Sequence, residues 1–150
     1  MTQTQPLDLA AMSGIEQLRA MLATGRQPPI GETLDFALVE IEEGRAVFAG
    51  NPDRRVYNPI GSVHGGYAAT LLDSACGIAV HSKLAPGQGY TTLELKISYV
   101  RGMTIDTGPV RAEGTVINMG RRVAFAEAKL TDASGRILAT ATSTLLVISG

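Results

Sequence analysis

The sequence predicts an α+β protein in which an antiparallel, curved β-sheet wraps around one long central helix, with an extra short N-terminal helix. Three patterns carry this expectation. The stretch NPIGSVHGGYAATLLDSACGIAVHS, residues 58–82, holds a helix with apolar residues on nearly every side, which must therefore be buried widely. After Pro86-Gly87 the pattern changes to period two and continues through four strand-like runs. Those runs are joined by tight turns, and consecutive strands so joined pair antiparallel, since parallel neighbours need a long crossover.

Each element can be justified in chain order. SGIEQLRAMLATG opens with a capping box, Ser13 with Glu16 three residues on, and sets Ile15, Leu18 and Leu22 on one face. Gly25 is a stop signal, and RQPPIG is expected to be a linker that cannot be helical. Residues 1–30 thus read as an N-terminal helix and linker within one domain spanning 1–150. TLDFALVEI and RAVFAG, joined by EEG, read as a β-hairpin. NPDRRVYNPIG is irregular and leads into the long helix, whose small residues (Ala68, Ala69, Ala75, Gly77, Ala79) let strands come close. In YTTLELKISYV, Leu93, Leu95, Ile97 and Tyr99 alternate with Thr92, Glu94, Lys96 and Ser98, which predicts a strand. Three more strands are expected at about 110–118, 123–131 and 137–148, with NMGRR and DASGR as turns.

Composition narrows the function classes. At 150 residues, 45% hydrophobic and 18% charged, the chain can bury one good core and is not of disordered type. Thirteen basic against fourteen acidic residues leave a net charge of -1, which supports neither a nucleic-acid nor a membrane-surface partner. The opening MTQTQPLDLA lacks a basic segment followed by an apolar core, so secretion is not expected. The apolar run at 67–80 is too short for a membrane span and is interrupted by Asp73 and Gly77. A single cysteine, Cys76, excludes an intramolecular disulfide and fits a reducing compartment; a cytoplasmic location is expected.

One acid is out of place. From Val56 through Ser82, Asp73 is the only side chain with a full charge at neutral pH. A buried carboxylate without partners costs on the order of several kcal/mol, so it finds donors or shifts its pKa. A structural acid bonded to nearby hydroxyls such as Ser74 or Thr70 is one resolution, and a catalytic acid is the other.

NPIGSVHGGYAATLLDSA resembles the signature of the hotdog-fold acyl-CoA thioesterases of the PaaI-like (phenylacetate-degradation) group. That signature is an Asn, a short loop, His-Gly-Gly, then a helix with an acid eight residues after the first Gly. The likeness runs from about Leu34 to Ile148 in element order, and LELKISYVRG and GRRVAFAEAKLTD resemble the family's third and fifth strands. The resemblance implies hydrolysis of an aryl- or medium-chain acyl-CoA to free acid and coenzyme A. It also implies a homo-oligomer, a dimer or a dimer of dimers (a homotetramer), with active sites at subunit interfaces and no cofactor.

Residue by residue, the resemblance gives the Gly65 amide the role of polarising the thioester carbonyl. The physics agrees, since the first amides of a helix lack internal partners and its positive end favours developing negative charge. Gly66 beside it lets a substrate approach the backbone closely, although both glycines also suit a plain tight turn into a helix. Asp73 is the candidate catalytic carboxylate, either activating water or attacking directly to give an anhydride. Asn58 matches the family's Asn, which orients the water or the thioester region, but an Asn before Pro59 also fits a simple turn. Thr92 falls where relatives place a Ser or Thr that holds the attacking water, and it equally fits the polar face of an alternating strand. His64 matches the motif as a loop-shaping residue near the thioester rather than a proton carrier.

Other constellations are weaker. Arg121 and Arg122, beside Gly120, are candidates for the coenzyme A phosphates, with Arg101 as a further one; a solvated turn explains the pair equally well. Cys76 lies near Asp73 without a motif and reads as an inert core thiol. His64 and His81 lack zinc-like spacing, so no metal is expected. A non-catalytic acyl-CoA-binding module and a hotdog enoyl-CoA hydratase are the alternatives. Asp73 counts against the first, and the early position of His64 against the second. An exposed sheet edge needs covering, and with the resemblance this predicts that a second subunit pairs there and that Asp73 of one chain works with Thr92 of its neighbour.

Overall fold

Among the described residues six strands form one antiparallel sheet in the order β1-β2-β4-β5-β6-β3, and a single long helix lies across it. The strands are β1 (Phe36–Glu42), β2 (Arg45–Gly50), β3 (Gln88–Tyr99), β4 (Val110–Met119), β5 (Val123–Asp132) and β6 (Ile137–Ser149). The helices are α1 (Gly14–Thr24), α2 (Pro29–Leu34) and α3 (Gly65–His81). This is a computed structural model, and it describes residues 7–150; the first six residues of the opening segment read above for a leader lie outside the described residues. The architecture is the α+β hotdog arrangement that the sequence predicts.

α3 enters after β2 and leaves into β3 at the opposite edge, so it crosses the whole inner face of the sheet. Leu71 and Leu72 are fully buried there, each contributing about 1.5–3 kcal/mol relative to exposure. The strands answer with small residues. Ala112, Ala124, Ala126 and Ala139 are fully buried, and a side chain at Gly114 would collide with the Ala75 carbonyl. Close approach thus depends on glycine in the strand as much as on alanine in the helix. Among the described residues, no helix is long and apolar enough to cross a membrane.

The N-terminal helix docks on the end of α3. Glu16 accepts from the Ser13 amide and hydroxyl at 2.7 and 2.8 Å, and Gly25 closes α1 in the left-handed region at φ 68°. The Gly14 amide donates to the Leu84 carbonyl at 2.9 Å, at a contact so close that only glycine fits against His81.

Two local expectations are corrected. The RQPPIG linker is partly helical, because α2 begins at Pro29. Proline at the first helical position has its φ already set and lacks only an amide that no helix would use there. β1 consequently starts at Phe36, after Asp35 turns the chain with φ 57°. The second correction lies in β3, where the pairing with β6 shifts register between Thr92 and Glu94. A bulge there leaves Leu93 57% exposed, while Leu95 and Ile97 pack on the core and Thr92 is half-buried. Strict alternation puts Thr92 opposite Leu95; the extra residue puts both on the helix side. Tyr99, expected with the apolar set, is 57% exposed.

Candidate active site

α3 begins where His64, in extended conformation at φ -61° and ψ 136°, caps it. Its Nδ1 accepts from the Gly66 amide at 2.7 Å, which leaves the ring proton on Nε2. The Gly65 amide has no acceptor among the described residues, and the Gly65 carbonyl is held by the Tyr99 hydroxyl, which donates at 2.8 Å. An unpartnered N–H at the positive end of a 17-residue helix is a ready donor to an oxygen that gains charge.

Asp73 lies two turns further on and is half-buried. Thr92 Oγ1 donates to its Oδ1 at 3.0 Å. Both residues belong to one chain, which corrects the expectation that Asp73 meets the Thr92 of a neighbour. The cause is the bulge at Leu93, which turns Thr92 toward α3. Thr70, considered above as a structural partner for the acid, donates instead to the Gly66 carbonyl at 2.9 Å. Cys76 is fully buried, and burial with the nearby charges of Asp73 and Glu127 pushes its thiol up to about 12. It is not a nucleophile at neutral pH.

The sequence matches the thioesterase superfamily over residues 60–139, more than half of the chain and spanning the His-Gly-Gly turn, α3 and β3. The chain belongs to the thioesterase superfamily. It is 27% identical over 116 residues to the 1,4-dihydroxy-2-naphthoyl-CoA hydrolase of Listeria monocytogenes, covering 77% of this chain and 93% of that one. In fold it is similar to the E. coli PaaI protein of the phenylacetic acid degradation operon, with TM-score 0.79 at 20% identity over 91% of this chain and 94% of that one. It is also similar to a Streptococcus mutans protein bound to acetyl-CoA, with TM-score 0.69 at 26% identity over 76% and 89% of the two chains.

In this member of the thioesterase superfamily the remaining candidates are spread out. Asn58 Oδ1 accepts from the Ile60 and Ser62 amides at 3.0 and 3.1 Å, and its Nδ2 donates to the Ser62 hydroxyl at 3.0 Å. These contacts all lie inside the turn that leads to His64, so the side chain shapes the loop. Arg121 and Arg122 are exposed in the β4–β5 turn, where the Arg122 carbonyl accepts from the Val147 amide at 2.8 Å. The register Val123–Leu146–Thr91 puts that turn at the Thr92 end of the sheet, two strands away. Arg101 is exposed beyond the other end of β3. Sequence reasoning passed over Tyr99 and Tyr90, which read as ordinary strand aromatics; a side chain at Gly65 would lie 3.0 Å from the first and one at Gly77 3.2 Å from the second. Among the described residues no group of three His, Cys, Asp or Glu side chains could hold a metal ion.

Proposed function

We propose that this protein hydrolyses the thioester bond of an aryl- or medium-chain acyl-CoA, releasing free acid and coenzyme A. The observation that carries the reading is a carboxylate with a hydroxyl donor, Asp73 with Thr92, on the same helix as an unpartnered N-terminal amide at Gly65. The Gly65 amide donates to the thioester carbonyl oxygen as that oxygen gains charge. Asp73 either takes a proton from a water that attacks the carbonyl carbon or attacks it directly. In both routes the C–S bond breaks, the sulfur leaves as coenzyme A thiol after taking a proton, and oxygen from water ends in the acid. His64 holds the loop, Gly66 keeps the approach open, Asn58 shapes the turn, and Arg121 and Arg122 are the proposed phosphate contacts. The Listeria hydrolase, named for a CoA ester, and the acetyl-CoA-bound Streptococcus protein support this substrate class.

One chain does not supply the whole site. Gly65 and Asp73 are eight residues apart, about 12 Å along the helix axis. A carbonyl bonded to one and attacked from the other needs contacts of about 3–3.5 Å to both. The strand β3 points to the solution. It is an edge of the sheet, 12 residues long, with Tyr99 against Gly65 near one end and Thr92 against Asp73 near the other. Antiparallel pairing of β3 with a second copy, about a two-fold axis near Leu95 and Lys96, would bring Gly65 of each chain to the other chain's Asp73. We propose such a homodimer, alone or paired again, as a single cytoplasmic catalytic domain.

A thiol-release screen over a panel of aryl and straight-chain acyl-CoA esters tests the reading, with and without chelator. Release of stoichiometric thiol and acid, unaffected by chelator, is expected. Binding of acyl-CoA without release would leave a binding module, and activity lost to chelator and restored by zinc would overturn the mechanism.

A further inference from the structure

Beyond Asp73 the seam between α3 and β3 continues toward the C-terminal end of the helix. Asp73, Gly77 and His81 are spaced four apart and lie on one side of α3. Opposite them β3 sets Thr92 on Asp73 and Tyr90 on the next two positions. A Cβ at Gly77 would lie 3.2 Å from Tyr90 Cε2 and 3.6 Å from its hydroxyl oxygen, so the phenol ring rests on bare helix backbone at that turn. Its edge-to-face partner is the His81 ring, with centroids 5.4 Å apart and planes at 60°. His81 Nε2 is held by Gln17 Oε1 of α1 at 2.7 Å. Burial, and after it the charge of Asp73, pushes the Tyr90 phenol above its usual pKa. Beside His81, along α1, an open and mostly apolar surface groove of about 470 Å³ is lined by Leu9, Leu18, Ala20, Met21 and His81 among others.

We propose that Tyr90 sets the length of acyl group this site accepts: its ring, laid on Gly77, is the end wall beside Asp73, and His81 behind it stands between that wall and the groove along α1. This rests on the thioester reading above. An acyl chain whose carbonyl is attacked at Asp73 and that runs along the seam toward His81 meets the Tyr90 ring within one helical turn. The ring is packed against helix backbone on one side and an aromatic held by α1 on another, so it does not swing aside freely. Methylenes that fit before the wall add about fourfold each in affinity by leaving water, and those beyond it add nothing. Gly77 is part of the same device, since its bare backbone is what lets the ring lie this close to the helix.

The test uses non-hydrolysable S-alkyl-CoA thioethers of graded length, with affinities measured by calorimetry on the whole protein. Wild type and Tyr90→Phe should gain affinity up to one shared length and then level off. Tyr90→Ala should move that limit outward by several methylenes, and Tyr90→Ala with His81→Ala further still, as the space opens into the groove along α1. Should Tyr90→Ala fail to fold, Tyr90→Leu makes the same test with a smaller void. Gly77→Ala, whose Cβ would lie 3.2 Å from the ring and move it by a few tenths of an ångström, should shift the limit by no more than one methylene. The kcat/KM profile over acyl-CoA esters should shift in the same sense. Equal loss at every length, or an unmoved limit, overturns the assignment of Tyr90. If wild type binds no thioether of any length, the thioester reading falls and this inference with it.

Discussion

Thr92 donates its hydroxyl hydrogen to Asp73 within one chain, at 3.0 Å and across 19 residues of sequence. The pair therefore enters any active site together, and in the proposed dimer the Gly65 amide comes from the other chain. This orders the expectations below.

Asp73→Asn should fold normally and lose on the order of a hundredfold or more in kcat, because it removes the base and keeps the shape. Thr92→Ala should lose on the order of ten- to a hundredfold, the value of a hydrogen bond to a charged acceptor. Thr92 acts through Asp73, so the double variant should be no worse than Asp73→Asn alone. Steady-state thiol release checks all three, and additive losses would separate the two roles.

Gly65→Pro removes the amide proton while leaving the backbone in place. Proline suits the first helical position, and His64 already has the extended conformation that precedes it. The expected loss is about 10²–10³ in kcat. Gly65→Ala brings in the same Cβ, 3.0 Å from the Tyr99 hydroxyl, yet keeps the proton, so it should lose far less. Mixed dimers of Gly65→Pro with Asp73→Asn chains should recover toward half of wild-type activity, since one site is then intact. Mixed dimers of Thr92→Ala with Asp73→Asn should show no such recovery, and the reverse pattern would sink the proposed pairing.

Tyr67 is buried with a hydroxyl that has no hydrogen-bond partner among the described residues, packed against Gly50. Burial, with the charges of Asp35 and Asp53, pushes its phenol up to about 12. Tyr67→Phe removes the unmatched polar atom without changing shape, and it should be neutral or stabilising by up to about 1 kcal/mol. A clear loss in thermal denaturation would mean that the hydroxyl has a partner in solution.

Burial lowers the His81 pKa below its usual 6.5. The unfolded chain therefore takes up the proton first as pH falls through about 6.5, and stability is lost below that value while being fully present above it. Melting temperatures between pH 7.5 and 5.5 should fall more steeply for wild type than for His81→Gln. Equal slopes would assign the dependence to another group.

Much of this was legible in the residues themselves. The period-two runs at 110–118, 123–131 and 137–148 became β4, β5 and β6 with ends displaced by one residue, because alternation on a half-buried sheet is a strong local constraint. The capping box at Ser13 and Glu16 and the stop at Gly25 formed as expected, since caps involve only near neighbours. RQPPIG misled because proline forbids a helix interior but favours its first turn, and the same letters serve both.

By itself the sequence determined the class of fold, the position of the long helix and the isolation of one acid in it. These follow from periodicity and charge, which are local properties of the chain. Only the tertiary structure decided which residue faces that acid. A bulge of one residue at Leu93 reverses the faces of β3, and no propensity marks its place. The same packing laid Tyr90 on Gly77 and Tyr99 on Gly65, because a glycine in a helix leaves room that only a neighbouring strand can fill. The separation of about 12 Å between Gly65 and Asp73 was implicit in eight residues of helix, yet the proposed dimer rests on the finding that β3, beside both, is an edge of the sheet.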